Sequence, residues 1–232
     1  MFFVAILLLY TGSLVQKLPR SFYLRPTLQV AKDLLGKHFV RIHRGITLVG
    51  KIIEVEAYRS DDPASHSFHG KTKRNQVMFG ETGHLYVYFT YGMHFCANVV
   101  TGPEGRGEAV LIRAVEPIEG VETMVENRGQ RSRGAGGKER LHGSPQLPRS
   151  PSPLLTNGPA KLCQAFAIGR KENGADLLGD EIYIVSGEKI PIQKIGRSGR
   201  IGIRNGKEKQ WRFFVKGSGW VSKTKRPPSR PD

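Results

Sequence analysis

Cysteine is scarce in this chain, and its scarcity limits the chemistry that the protein can carry. Only two cysteines, Cys96 and Cys163, occur among 232 residues. They fit neither a zinc-ligand spacing nor a disulfide framework, so we predict no metal, no cofactor and a reducing compartment. The glycine-rich stretch 102–107 (GPEGRG) lacks the Lys-Ser/Thr ending of a phosphate-binding loop, and a hairpin turn is the better interpretation.

Long hydrophobic runs are also few. The apolar run within residues 1–10 (MFFVAILLLY) is too short to span a bilayer, has no basic residue before it and is followed by no clear cleavage site. We therefore expect a packed strand, or an over-extended start of translation, rather than an export signal. No membrane partner is predicted, and residues 1–21 are treated as an N-terminal extension.

Acidic residues are outnumbered by basic ones. Lys and Arg total 36 against 20 Asp and Glu, which gives a formal net charge of +16. A polyanion is therefore the expected partner, with nucleic acid as the first candidate. An acidic membrane surface or a simple contribution to solubility are the alternatives.

The spacing of apolar residues favours a single α+β domain built on a mostly antiparallel sheet with flanking helices. Period-two alternation predicts strands at 38–42, 47–57, 85–100 (as a hairpin), 199–205 and 211–217. Two helices are predicted, at 26–36 and at 156–168. For the second, Thr156 or Asn157 is the expected cap and Pro159 lies in the first turn.

Composition divides the chain into one domain and two polar segments. The domain is expected at 22–222, because no repeat or strong internal boundary argues for two domains. Residues 127–153 are rich in Arg, Lys, Gly, Ser and Pro and predict a flexible basic loop within it. Residues 223–232 predict a disordered basic tail.

The stretch 85–100 (LYVYFTYGMHFCANVV) organises the functional interpretation. Gly92 breaks the alternation, so Tyr91 and Met93 are expected at or near the tip of a hairpin. A large apolar pair at such a tip has no core of its own to enter. The two side chains either fold back onto the sheet or project as a wedge into a partner.

Acidic residues in the predicted strand 47–57 suggest chemistry. Glu54, Glu56 and Tyr58 share one face of this strand, which usually marks a solvated edge. A polar loop with Asp and His residues follows at once, and functional loops have this character. Arg113 interrupts a strongly apolar strand, and a buried arginine requires a carboxylate partner on a neighbouring strand.

With these segments in view, the chain resembles the alkyladenine (3-methyladenine) DNA glycosylase family of base-excision repair enzymes. The similarity runs in collinear order from about residue 22 to 222, and several long motifs in the right order are far more specific than one. The motifs are LLGK (34–37), VEAY (55–58), DPASH (62–66), TKRNQVMFG (72–80), GHLYVYFTYGMHFCANVV (83–100), VLIRAVEPIEG (110–120), TNGPAKLCQA (156–165), GRIGI (199–203) and WRFFVKGSGWVS (211–222).

The resemblance implies a role for individual residues. Glu56 corresponds to the general base that activates the attacking water, and Arg113 to the arginine that helps to hold this water. The remaining implied roles are a cage around the flipped base (Tyr58, His66 and Tyr88), a pocket floor that disfavours the exocyclic amine of guanine (Asn98), DNA intercalation (Tyr91 with Met93), a backbone contact to the water (Ile203) and phosphate contacts (Arg128 and Lys161). The loop before His66, residues 59–65, is one residue shorter than the usual family spacing.

The implied activity is that of a monofunctional DNA glycosylase of the type II class. Such an enzyme flips out alkylated or deaminated purines (3-methyladenine, 7-methylguanine, hypoxanthine) and hydrolyses the N-glycosidic bond to leave an abasic site. A carboxylate that takes a proton from water is the minimum equipment for this reaction, and Glu56 supplies it. The expected partner is double-stranded DNA containing damaged purines, bound by a monomer in a bacterial nucleoid or a eukaryotic nucleus.

Other interpretations compete with this one. A non-catalytic minor-groove binder explains the charge and the hairpin tip, but gives Glu56 and Arg113 no task. A zinc base deaminase requires His-x-Glu and Pro-Cys-x-x-Cys signatures, which are absent. A related glycosylase that prefers another damaged purine is a third alternative.

Overall fold

One long strand, β2 (Ile46–Tyr58), is the centre of the fold. The computed structural model of the protein describes residues 16–90, 92–133 and 152–222. In these residues, eight strands form one sheet in which every pair is antiparallel. The strands other than β2 are β1 (His38–His43), β3 (Leu85–Thr90), β4 (His94–Thr101), β5 (Glu108–Glu119), β6 (Ile182–Val185), β7 (Ile195–Ser198) and β8 (Arg212–Val215).

The length of β2 lets it hold three other strands. Its first half pairs with β1, its second half pairs with β5, and β8 pairs with Glu54–Glu56. The main path through the sheet is β3-β4-β5-β2-β1-β6. Between β2 and β5 the register skips Ile53 and Arg113, and such irregularities re-aim side chains beside functional sites.

Four α-helices cover the sheet: α1 (Arg20–Leu24), α2 (Thr27–Leu34), α3 (Val121–Arg133) and α4 (Pro159–Ala165). Helix α2 packs against β2 and β5, while α4 packs against β4, β5 and α3. The core lies between these layers, and its largest fully buried members include Leu34, Phe39, Ile52, Ile112 and Phe166. Single 3₁₀ turns occupy Gln76–Phe79, Pro153–Leu155, Arg170–Glu172 and Ile192–Lys194.

Most of the predicted elements are confirmed. The hairpin β3–β4, the helix α2 and the strands β1 and β2 lie where the sequence places them, in one α+β domain. The β1–β2 turn has Arg44 at φ 52° and Gly45 at φ 76°. Two successive left-handed residues match the twist of a two-residue hairpin connection, which explains the glycine.

Three local predictions are wrong. Residues 199–205 are not a strand, since β7 ends at Ser198 and a loop follows. Helix α4 begins after Gly158 with no side-chain cap, because the Thr156 hydroxyl donates to the Val115 carbonyl at 2.5 Å instead. Helix α3 continues to Arg133, so residues 127–133 of the predicted loop are helical.

Several predictions fall outside the residues that the structure describes: those for the apolar run at 1–10, for Tyr91, for loop residues 134–151 and for the tail 223–232. Within the described ranges, no helix has the length and apolar content needed to cross a membrane.

Candidate active site

A cavity of about 460 Å³ opens between the β3–β4 hairpin, β5 and two loops that follow β2 and β7. Alternation along the strands sends every second side chain into it. The lining side chains include Tyr58, His66, Tyr86, Tyr88, Cys96, Asn98, Leu111, Arg113, Ile203 and Arg204. Most of the predicted base-pocket residues therefore meet at one place, although they come from four separate segments.

Glu56 lies directly behind the cavity wall and is fully buried. Its Oε2 accepts the Tyr58 hydroxyl at 2.8 Å and lies 3.2 Å from Nη1 of Arg113. Its Oε1 accepts the backbone N–H of Ile201 at 2.7 Å. A carboxylate offers about four lone-pair positions, so these three contacts leave Oε1 room for one further donor, such as a water. All three partners line the cavity.

Arg113 is the buried arginine that the sequence predicted, and it has the predicted carboxylate partners. Its Nη1 is 3.2 Å from Oε2 of Glu56, and its Nε donates to Oε1 of Glu54 at 3.2 Å. Burial acts to lower the pKa of Arg113, but the charges of Glu56 and Glu54 outweigh it and raise the pKa. The guanidinium is therefore a fixed positive charge at the cavity wall.

Tyr58 ends β2 and connects Glu56 to the cavity. Burial, followed by the negative charge of Glu56, raises the pKa of Tyr58 well above its ordinary value. The phenol therefore stays protonated and acts as a hydrogen-bond donor to Glu56. The guanidinium of Arg200 lies over the Tyr58 ring, 4.7 Å from its centroid, where the face of the ring attracts a cation.

An aromatic cluster forms another wall of the cavity. The rings of His66 and Tyr88 meet edge to face with centroids 4.4 Å apart, and Tyr86 lies 5.5 Å from Tyr88. Nδ1 of His66 is 3.0 Å from the Tyr86 hydroxyl. Burial, and then the charge of Arg74, lowers the pKa of His66, which keeps the imidazole neutral at physiological pH.

The loop before His66, residues 59–65, brings this residue to the cavity. The loop is held by Asn75, whose side-chain amide donates to the His66 carbonyl at 2.7 Å and to the Gly70 carbonyl at 3.0 Å. Asn75 is itself buried, so the loop is fixed from inside. The spacing of the sequence could not show this, because the support comes from nine residues downstream.

Asn98 lies deep in the cavity, on β4 opposite Tyr86. It is 4% exposed, and its amide donates to the Tyr86 carbonyl at 3.1 Å. The same face of β4 carries Cys96, whose thiol pKa is raised by burial. Asn98 is thus a buried polar side chain in the cavity lining, and its role against guanine stays a prediction.

Among the residues predicted to contact DNA, Met93, Arg128 and Lys161 are described by the structure, and none of the three lines the cavity. Met93, at the hairpin tip, is 63% exposed. Lys161 and Arg128 lie close enough for Arg128, together with partial burial, to lower the pKa of Lys161. Lys161 donates to Asn157 and Arg128 to Gln164, at 2.8 and 2.6 Å. Two neighbouring cations of this kind suit a phosphate.

Sequence reasoning missed the ion pairs behind the cavity. Arg200 and Asp62 form a salt bridge in which neither side chain is exposed. Arg212 donates to Glu54 at 2.6 Å. An arginine within an alternating apolar segment indicates a buried ion pair. Arg200 and Arg212 lie in such segments, as Arg113 does, but we applied this argument to Arg113 alone. In addition, the backbone N–H of Ile201 donates to Glu56, a contact that the sequence did not predict, and Ile203, predicted for a backbone contact to the water, lines the cavity two residues later.

Comparison with known proteins gives consistent results. Residues 21–219 match the methylpurine-DNA glycosylase family. A protein of Carboxydothermus hydrogenoformans named "Putative 3-methyladenine DNA glycosylase" is 51% identical over 207 residues, which cover 89% of this chain and 98% of that protein. Proteins of the same name from Clostridium acetobutylicum and Methanoculleus marisnigri are 45% and 44% identical, over 90% and 89% of this chain and 99% and 98% of theirs.

The buried carboxylate at an aromatic cavity and these similarities define the class: the protein is a DNA glycosylase, a hydrolase of N-glycosyl bonds that acts in DNA repair. The chain belongs to the methylpurine-DNA glycosylase family. DNA is therefore its substrate, and the net charge of +16 suits that polyanion.

Proposed function

We propose that the protein extrudes alkylated or deaminated purines from duplex DNA into the aromatic cavity and hydrolyses their N-glycosidic bond, leaving an abasic site. The observation that carries this proposal is the set of contacts around Glu56. Glu56 is a fully buried carboxylate, and the three residues that contact it, Tyr58, Arg113 and Ile201, all line a cavity large enough for a purine. A water bound there would be activated by Glu56 and would attack C1′ of the deoxyribose.

Simple hydrolysis fits the cavity better than a lyase mechanism. A bifunctional enzyme requires an amine nucleophile aimed at C1′. The described residues that line the cavity include no lysine. Departure of the base generates positive charge on the sugar, and the carboxylate of Glu56 stabilises that charge while it takes the proton from water.

The aromatic cavity accounts for selectivity toward damaged bases. Alkylation of a ring nitrogen gives the purine a positive charge and makes it a better leaving group. Tyr58, Tyr88 and a neutral His66 supply aromatic rings to the cavity, while Arg113 adds a fixed positive charge to the same wall and Arg200 lies over the ring of Tyr58. Hypoxanthine, 3-methyladenine and 7-methylguanine are the purines we propose as substrates, with the protein acting as a monomer.

The decisive experiment measures release of free base from duplex DNA that carries hypoxanthine or a methylated purine. We expect release by the wild type and a loss of about 10²-fold or more in Glu56→Gln, with duplex binding retained. A matched control is Glu172→Gln, which also removes a mostly buried carboxylate paired with an arginine, but away from the cavity. If the wild type binds duplex DNA and releases no base, the architectural minor-groove binder becomes the better description.

A further inference from the structure

Arg113 is shared between two fully buried carboxylates, and the proposed chemistry uses only one of them. Its Nη1 reaches Glu56 and its Nε reaches Glu54, each at 3.2 Å. Taking a carboxylate out of water costs several kcal/mol, and a buried ion pair is often no more stable than an apolar replacement. Stability alone therefore gives a weak reason for Glu54 to be where it is.

Glu54 is held more tightly than Glu56. Besides Arg113, its Oε1 accepts from Nε of Arg212 at 2.6 Å, and its Oε2 accepts from both the backbone N–H and the hydroxyl of Ser222 at 2.6 Å. Arg212 also donates to the Ser222 carbonyl at 3.2 Å. Every acceptor position of Glu54 is thus engaged, so that this side chain cannot act on a substrate, only on its neighbours.

The arrangement fixes which edge of Arg113 meets Glu56. Because Nε is held by Glu54, Arg113 meets Glu56 through Nη1 and cannot turn its Nε edge toward Glu56. A guanidinium released from Glu54 would favour a two-point contact with Glu56, since planar forked pairs are the stronger ones. Such a pair would take the acceptor position that the attacking water needs.

The charges also balance only when Glu54 is present. Glu54, Glu56, Arg113 and Arg212 together carry no net charge, and β8 places Arg212 opposite Glu56 in the sheet. The titratable and charged groups that face Glu56 from the surrounding elements are Tyr58, Glu54, Arg113, Arg212, Tyr88, Cys96 and Arg200. Of these, Glu54 is the carboxylate that balances Arg212, while Arg200 is balanced by its own partner Asp62.

We propose that Glu54 is a positioning residue for base release: anchored by Arg212 and Ser222, it holds Arg113 in a one-point contact with Glu56 and offsets the second arginine. This inference rests on the proposed function, because it assigns the task of Glu54 through Glu56. Ser222 lies three residues beyond the last position that matches the family, so the anchor extends the site past the matched region.

The test is the pH dependence of single-turnover base release. In Glu54→Gln one negative charge beside Glu56 is removed, while Arg113 and Arg212 remain. The acid limb of the profile is expected to move to lower pH by about one unit, and the plateau rate is expected to fall because the base is weaker. In Arg212→Gln one positive charge is removed instead, so the negative charges of Glu54 and Glu56 exceed the charge of Arg113. The acid limb is then expected to move to higher pH.

If charge balance matters, the acid limb of the pH profile moves in opposite directions in Glu54→Gln and Arg212→Gln. If the substitutions only loosen the fold, base release becomes slower but the acid limb does not move. Glu54→Asp keeps the charge and is expected to keep the wild-type limb at a reduced plateau, and Glu172→Gln is expected to keep both. An active wild type with unshifted limbs in Glu54→Gln and Arg212→Gln would overturn the inference while leaving the proposed function intact. If Glu54→Gln does not fold, the direction of the shift in Arg212→Gln decides alone. An inactive wild type would instead refute the proposed function itself.

Discussion

Asp62 and Arg200 form a salt bridge that joins the two loops on either side of the cavity, and neither side chain is exposed. Arg200 Nη2 donates to Asp62 Oδ1 at 2.9 Å, and Nη1 also donates to the Ala57 carbonyl at 3.0 Å. Its guanidinium lies over the rings of Tyr58 and Trp211 at 4.7 and 5.3 Å. One side chain thus fixes the loop that carries His66, the end of β2 and the loop that supplies Ile201.

Breaking this pair is expected to destabilise the protein. Asp62→Asn leaves the buried charge of Arg200 uncompensated, which typically costs about 3–5 kcal/mol. The neighbouring Asp61 has a largely exposed side chain, so Asp61→Asn is the matched control and is expected to change stability by less than about 0.5 kcal/mol. Chemical denaturation measures both, and equal losses would contradict the assigned role.

The same pair makes the stability of the protein depend on pH. Burial alone would raise the pKa of Asp62, but the hydrogen bond from Arg200 outweighs it, so that the pKa is lowered. Its stabilising contribution is therefore present above the ordinary carboxyl pKa of about 3.9 and is lost as pH falls through the lowered value. The wild type should lose stability on acidification more steeply than Asp62→Asn does.

How far the sequence predicts this site depends on how local each contact is. The β3–β4 hairpin and the face that carries Tyr86 and Tyr88 follow from a period-two pattern. The buried partner of Arg113 follows from the cost of an unpaired charge. Family motifs located Glu56 and His66, which no periodicity distinguishes from other acidic or histidine residues.

The contacts that the sequence did not predict join distant segments. Arg200 pairs with Asp62 across 138 residues, and Ser222 with Glu54 across 168. Alternating residues at 199–205 indicate a strand. In the structure Arg200 instead forms its buried salt bridge with Asp62, and the segment is a loop. The pairing of β8 onto the second half of β2, which creates these contacts, depends on the whole sheet and has no local signature.

His66 is expected to make the release of cationic bases sensitive to acid. Its pKa is lowered by burial and by Arg74, so it becomes charged only below the ordinary imidazole range. Once charged, it repels cationic 7-methylguanine more than neutral hypoxanthine. The rate of 7-methylguanine release divided by the rate of hypoxanthine release should therefore fall as pH falls.

Removal of Arg74 provides the internal check on this prediction. Without that positive charge the pKa of His66 rises, so Arg74→Gln should move the fall in the ratio to higher pH. Lys71, three residues before Arg74, is exposed and is not among the groups that lower the pKa of His66, so Lys71→Gln should leave the ratio profile where it is. A ratio that is flat with pH, or that shifts equally in both variants, would remove His66 from this role.

Tyr91, which follows β3 in the sequence, is predicted to fill the gap left by the extruded base. A wedge in the minor groove offsets part of the unstacking cost, which is a few kcal/mol. Tyr91→Ala should therefore weaken binding to lesion-containing duplex more than to undamaged duplex, as measured by titration of both. Ile192→Ala removes an exposed apolar side chain that does not line the cavity and should affect neither. Equal losses on the two duplexes in Tyr91→Ala would argue against the wedge.

Asn98 is expected to exclude normal guanine. It is buried at the floor of the cavity, where its amide is held by the Tyr86 carbonyl, and a rigid polar group there disfavours the exocyclic amine of guanine. Asn98→Ser removes bulk and the amide, so guanine release from a duplex with a G·T mismatch should rise above background. Cys96→Ser alters the neighbouring position on the same face of β4 and should leave guanine release at background. If the serine variant of Asn98 releases hypoxanthine normally and still no guanine, discrimination must arise elsewhere in the cavity wall.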